Sequence, residues 1–159
     1  MRNPPVPADD LAGMGAALAL ARRAAGLGEV PVGAVVKRGE ETLAEAHNET
    51  EARRDPTAHA ELLAVQRALA AAASDRLSDA SLYVTLEPCA QCAGAIVLAK
   101  VGRVVYGASD EKAGMAGSVG DLLRNARLNH RLEVRGGVLA AECGELLRGF
   151  FADRRPPTS

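Results

Sequence analysis

Two cysteines three residues apart, set directly after a proline in Pro88-Cys89-Ala90-Gln91-Cys92, constrain this chain more than any other stretch. Proline is favoured at the first position of a helix, because its missing N–H would be unpaired there. The spacing therefore predicts a helix starting near Pro88, with both thiols on one face of its first turn. The free N–H groups and positive dipole end of such a turn favour thiolate over thiol. Two thiolates do not complete a metal site. Upstream, Asp55-Pro56-Thr57-Ala58-His59-Ala60-Glu61 predicts a second helix start, capped by Thr57, and offers His59 as a third ligand. One His and two Cys leave the fourth position of a zinc ion open to water, the pattern of a catalytic site rather than a structural one. Glu61 stands two residues beyond the His, where a general base beside that water is needed. A lone His is usually a cap or a core residue, and a lone Glu in a first turn usually serves the helix dipole. The combination of His59, Glu61, Cys89 and Cys92 in one chain overrides both readings.

Taken in order, the chain opens with a Pro-rich lead over 1–8, expected to be disordered, followed by a single domain over 9–155 and a short disordered tail over 156–159. Asp9 or Asp10 can cap a first helix in which Leu11, Met14, Leu18 and Ala21 recur at helical spacing, ending near Gly26-Leu27-Gly28. Val30 to Val36 reads as a buried strand. Gly39-Glu40 turns the chain, and Thr42 to Asn48 returns as its antiparallel partner. The His59 helix runs through an alanine tract to about Ser74. Ser81 to Leu86 is a third strand leading into the cysteine helix, and Val101 to Tyr106 is a fourth. A Gly-rich segment, 107–120, precedes a short helical piece at Asp121 to Ala126. Leu132 to Val134 is a fifth strand, parallel to the fourth because the intervening excursion is long enough for a crossover. Leu139, Cys143, Leu146, Leu147 and Phe150 mark the inner face of a closing helix. Cys143 on that stripe reads as a buried core thiol. The order is that of an α/β protein in three layers, a five-stranded mixed sheet with helices on both faces.

Composition narrows the class without choosing within it. The 159 residues suit one domain with a real core. Aromatics are only 3% and there is no Trp, so that core must come from Ala, Val and Leu. Three Cys, two of them in metal spacing, argue for a reducing compartment over a disulfide framework, and no stretch is apolar and long enough to be read as a signal or a membrane span. Cytoplasmic location is the expectation. Net charge is −1, which does not advertise a nucleic-acid binder. Its distribution is uneven, with 5 basic and 8 acidic side chains in 1–51 against 8 and 6 in 111–159. The arginines at 124, 127, 131, 135, 148, 154 and 155 are either solvated surface or a modest footprint for RNA.

His59-Ala60-Glu61 followed by Pro88-Cys89-Ala90-Gln91-Cys92 resembles the H-x-E…P-C-x-x-C signature of zinc-dependent nucleobase deaminases. Glu29 to Val35, Asn48, Asp55 to Glu61, Leu82 to Cys89, Gly114 to Ser118, Asn129-His130-Arg131 and Leu146 to Phe151 extend the resemblance to the bacterial tRNA-specific adenosine deaminases. It covers residues 10–155. It implies a cytidine-deaminase-like fold, one zinc per chain on His59, Cys89 and Cys92, and Glu61 as proton shuttle. It also implies hydrolysis of adenosine to inosine at the wobble position of a tRNA anticodon loop by a homodimer with sites near its interface. Asn48 would bond the edge of the flipped base, Glu29 and Val30 would line the same cavity, and Asp110 and Lys112 would hold the neighbouring nucleotide. Phe151 is divided evenly between stacking on RNA and packing, whereas Phe150 reads as core. His130 would help order the loop before it, and His47 lacks ligand spacing. Gln91, Ser109, Glu111 and Ala113 depart from the family's usual residues and make the RNA-facing loop less basic. Two alternatives stay open: a deaminase of free guanine, cytosine or their nucleosides, and a zinc-stabilised RNA-binding module without turnover.

Overall fold

Five strands, Gly33–Arg38 (β1), Glu41–His47 (β2), Ser81–Leu86 (β3), Arg103–Ala108 (β4) and Glu133–Arg135 (β5), form one sheet in the order β2-β1-β3-β4-β5. The structure is a computed structural model and describes residues 5–128, 130 and 132–154. β1 pairs antiparallel with β2 and with β3, while β3–β4 and β4–β5 are parallel, so the sheet is mixed as expected. Five helices accompany it: Ala8–Gly26 (α1), Thr50–Arg53 (α2), Ala60–Ala72 (α3), Ala90–Leu98 (α4) and Ala140–Arg154 (α5).

Side chains alternate across the pleat, and the two faces bury different helices. Val36, Leu82, Val84 and Val104 point to the face covered by Leu63 and Ala64 of α3 and Ile96 of α4. Val35, Tyr83 and Val105 point to the other, against Met14, Ala17 and Leu18 of α1 and Cys143 of α5. Three layers result. The core is aliphatic and small, with Tyr83 and Phe150 its buried aromatics among the described residues. Gly33 is where α1 closes onto the sheet: a Cβ there would collide with the Ala17 carbonyl. No helix among the described residues is long and apolar enough to cross a membrane.

Several sequence expectations shift for local reasons. β1 starts at Gly33, not Val30, because Pro31 has no N–H to give the ladder and Val32 turns back to the Val30 carbonyl at 2.8 Å. β4 starts at Arg103, since Val101 and Gly102 donate instead to the turn carbonyls of Ile96, Leu77 and Ala80. Neither Asp9 nor Asp10 caps α1; Pro7 holds the N-cap position. Met14, Leu18 and Ala21 of the expected stripe are buried, but in the first turn Asp10 takes the inner place and Leu11 is exposed. Asp10 is held there by both nitrogens of the Arg103 fork, at 2.6 and 2.7 Å, and by the Tyr83 hydroxyl at 3.2 Å. The helical piece expected at Asp121 to Ala126 is not a helix: Asp121 bridges to Ala116, 122–124 are bends and Ala126 lies in a turn. Its Asp121 carboxylate takes the Arg124 N–H and guanidinium, a local bond that competes with helix formation in so short a segment. The Asn129 and Arg131 of the resemblance, the Arg155 of the basic set and the 156–159 tail lie outside the described residues.

Candidate active site

Both ligand-bearing segments end as the N-caps of helices. His59 is the N-cap of α3 and Cys89 of α4, each with extended backbone (φ −78°, ψ 149° and φ −77°, ψ 178°). The helices therefore begin one or two residues later than the sequence predicts. Thr57 is not the cap of α3, because its N–H and hydroxyl both turn to the Asp55 carboxylate, at 2.9 and 2.6 Å. Two helix N-termini thus converge at the carboxyl end of β3, the usual place for a site in a sheet of this kind, and bring unpaired N–H groups and positive dipole ends with them.

His59 Nδ1 lies 3.5 Å from both Cys89 Sγ and Cys92 Sγ, and the three donor atoms all fall within 4.8 Å of one another. That is the spread of three corners of a small tetrahedron, and one imidazole with two thiols is the donor set of a borderline-soft divalent cation. The group can hold a metal ion. Its thiols divide unequally. Hydrogen bonding from Cys92, then from His59, pulls Cys89 down to about 3, whereas Cys92, bonded to Cys89 and buried, is pushed up. The bond to Cys89 raises His59 above the ordinary histidine value. Burial lifts the Glu61 carboxyl to about 7. The Gln91 amide ties the two segments together, donating to the Thr57 carbonyl at 3.0 Å.

A cavity of about 240 Å³ opens beside this group. Of the residues expected there, Val30, Asn48, His59, Glu61, Cys89 and Asp110 line it. Cys92 is buried and does not line it. Asn48 is 5% exposed; its Nδ2 reaches the Thr50 hydroxyl at 3.4 Å, while its Oδ1 is buried without a hydrogen-bond partner among the described residues. An unpaired buried acceptor on a cavity wall is costly unless a ligand donates to it.

Other expectations fall elsewhere. Glu29 does not line the cavity. It is 2% exposed, and its two oxygens accept the N–H groups of Glu51 and Ala52 at 2.9 and 2.8 Å, pinning the short α2 that follows Asn48. Lys112 is exposed on the loop, its N–H bonded to the Asp110 carboxylate. Phe151 is half exposed, edge-on to the buried Phe150, whose ring carries the Arg154 guanidinium at 3.6 Å. His130 donates to the Val101 carbonyl at 2.7 Å, and His47 to the Asn48 carbonyl at 2.9 Å. The sequence reading gave no place in the cavity to Val32, Thr50, Ala60, Leu86, Glu87 or Ala113, which complete the lining.

A sequence model described as that of the MafB19-like deaminases matches residues 8–155, which sets the class: fold and site are those of a deaminase. The tRNA-specific adenosine deaminase of Bacillus subtilis is 48% identical over 135 residues, 85% of this chain and 84% of that protein. The Haemophilus influenzae protein of the same name is 46% identical over 140 residues, 87% of this chain and 81% of that one. Among solved structures, one from a study of A-to-I editing by tRNA:A34 deaminases at the wobble position gives a TM-score of 0.81 at 39% identity, covering 86% of this chain and 99% of that one. A guanine deaminase from Nitrosomonas europaea gives 0.76 at 28% identity, covering 94% and 88%. The chain belongs to the tRNA-specific adenosine deaminases.

Proposed function

We propose that this protein hydrolyses adenosine to inosine at the wobble position of a tRNA anticodon loop, with zinc held by His59, Cys89 and Cys92. The observation that carries the reading is the convergence of the three-donor group, the buried Glu61 and the unpaired Asn48 Oδ1 on one cavity. Zinc bound there supplies Lewis acidity that makes hydroxide available near neutral pH. Glu61 takes one proton of the attacking water and delivers it to the ring nitrogen beside the attacked carbon, where inosine keeps it. It then passes the second proton, from the newly added hydroxyl, to the amine, which leaves as ammonia. Asn48 orients the base through the acceptor it leaves unpaired, since its amide offers both a donor and an acceptor to a purine edge. Val32 and Leu86 supply apolar walls that exclude bulk water. A base must leave its stack to enter such a cavity, and single-stranded loops make that cheap.

Free guanine is the second reading, favoured by the Nitrosomonas europaea likeness. The two separate by salt. Inosine formation in an anticodon stem-loop should fall steeply between about 50 and 200 mM salt, because basic side chains must displace counterions from phosphates. Lys112, Arg148 and Arg154, all exposed on the loop and on α5, are the proposed contacts. Arg154→Ala should shallow the log–log slope by up to about one unit. Ammonia release from free guanine, with a flat salt profile and no inosine in the stem-loop, would overturn the tRNA reading.

We place the enzyme in the cytoplasm, where thiols stay reduced, and infer a homodimer joined through the outer side of α4. That helix contains no charged residue, and its Leu98 is 81% exposed. A largely exposed leucine on a helix without charged residues is what a partner's surface covers. Leu98→Lys should move the protein from dimer to monomer in sedimentation; an unchanged sedimentation profile removes α4 from the interface.

A further inference from the structure

Glu87 lies between the end of β3 and the first cysteine, and its side chain is among the most deeply buried charged groups of the described residues, at 1% exposed. Its backbone N–H extends the parallel pairing by one bond, to the Ala108 carbonyl at 2.9 Å. Its carboxylate then reaches into the turn that follows β4. Oε1 accepts the Asp110 N–H at 3.0 Å and the Ser118 hydroxyl; Oε2 accepts the N–H groups of Ala116 at 2.9 Å and Ser118 at 3.1 Å. A carboxylate has about four lone-pair sites, so every one is taken. These partners, among the described residues, include no lysine or arginine. The burial cost of the charge is offset by three converging backbone N–H dipoles and the Ser118 hydroxyl, in the manner of an anion nest turned inward. Gly114 rides directly over the carboxylate, where any Cβ would collide with it. The 110–118 turn is therefore wound around one side chain as around a peg.

That turn is one wall of the cavity. Asp110 and Ala113 line it, and the Asp110 carboxylate in turn fixes the N–H groups of Lys112 and Ala113 at 3.0 and 3.1 Å. Asn48, Thr50, His59 and Glu61 of the same lining belong to other elements, and none of them is among these partners of the Glu87 carboxylate. We propose that Glu87 is a positioning residue. Its carboxylate holds the Asp110–Ala113 wall at the distance from Asn48 that grips the substrate base, and so it governs substrate affinity rather than the chemical step. The proposal deepens the function read above and rests on that cavity being where the base binds.

Glu87→Gln is nearly isosteric and keeps the packing against Gly114, but its NH₂ faces two donors where an oxygen accepted them. Hydrogen exchange is the readout that needs no substrate. The amides of Asp110, Ala116 and Ser118 should exchange at least about tenfold faster, while those of β1 and β3 and the metal content stay as in the wild type. KM should rise about tenfold with kcat within about twofold, on whichever substrate the wild type turns over, anticodon stem-loop or free base. Should the wild type act only on a free base, the tRNA reading fails and the Glu87 proposal is still decided on that base. Faster exchange with unchanged KM, or a fall in kcat with KM unchanged, overturns the proposal and leaves the tRNA reading standing. If Glu87→Gln does not fold, Ser118→Ala removes the hydroxyl bond alone. It should raise KM about threefold at constant kcat; no change in KM overturns the proposal.

Discussion

Glu61→Gln is expected to lower kcat for inosine formation by about a thousandfold, within the range a positioned proton-transfer group contributes, and to leave zinc and RNA binding intact. Glu61 is 5% exposed and lines the cavity, but its carboxylate is not one of the three convergent donors. Elemental analysis should therefore still find one zinc per chain in the variant. His59→Ala is the contrasting case. It removes one of three ligands and should lose both metal and thermal stability, since metal-binding energy is also folding energy. Near-wild-type turnover by Glu61→Gln would move the proton transfer to another residue, and zinc retained by His59→Ala would dismantle the ligand set. The pair of variants distinguishes a group that moves protons from one that holds the ion. A non-catalytic zinc module would show the second effect without the first, having no turnover to lose.

What the sequence made legible is what it encodes at short range. His59 and Glu61 are two residues apart, Cys89 and Cys92 three, and a helix start suffices to bring each pair to one side. Alternating and helical periodicity located all five strands to within a few residues, Ser81–Leu86 without error, and put Cys143 in the core. The reading failed where a side chain satisfies something distant. Glu29 was assigned to the cavity by the family resemblance, yet its partners stand 22 and 23 residues on, in a four-residue helix that has no local signature. Glu87 stands inside the most informative stretch of the chain and drew no role, because its partners are 23 to 31 residues ahead in a glycine-rich turn. Both carboxylates donate nothing to a motif. They build the cavity by accepting backbone N–H groups, and any backbone can supply those, so no residue type marks the partner.

Asp10 is the extreme of that class and carries the largest expected effect on stability. Its partners, Tyr83 and Arg103, lie 73 and 93 residues away, and through them the first turn of α1 is joined to β3 and β4. Asp10 is 2% exposed and Arg103 keeps a quarter of its side chain in solvent. Asp10→Asn therefore strands a cation that is only partly buried, and the cost should sit at the low end for a broken buried pair, about 3 kcal/mol. For a domain of this size that corresponds to a fall in Tm of roughly 8 °C. Arg103's second contact, to the largely exposed Glu133 at 3.5 Å, offers little compensation. The dependence on pH has a definite sign. The Arg103 hydrogen bonds, against an opposing effect of burial, hold the Asp10 carboxyl below its ordinary value. A lowered folded-state pKa contributes stability that is complete above the unfolded value, about 3.9, and is lost as pH falls through the folded one. Urea melts should therefore show wild type ahead of Asp10→Asn by the full margin at pH 7. The margin should begin to shrink below about pH 4 and close as pH falls through the lowered folded value, as protonation takes the wild-type carboxyl toward the neutral state the amide already has. Equal midpoints at pH 7 would mean that the 2.6 Å Asp10–Arg103 pair only repays its own desolvation, and a margin that persists at low pH would assign the loss to packing of the amide.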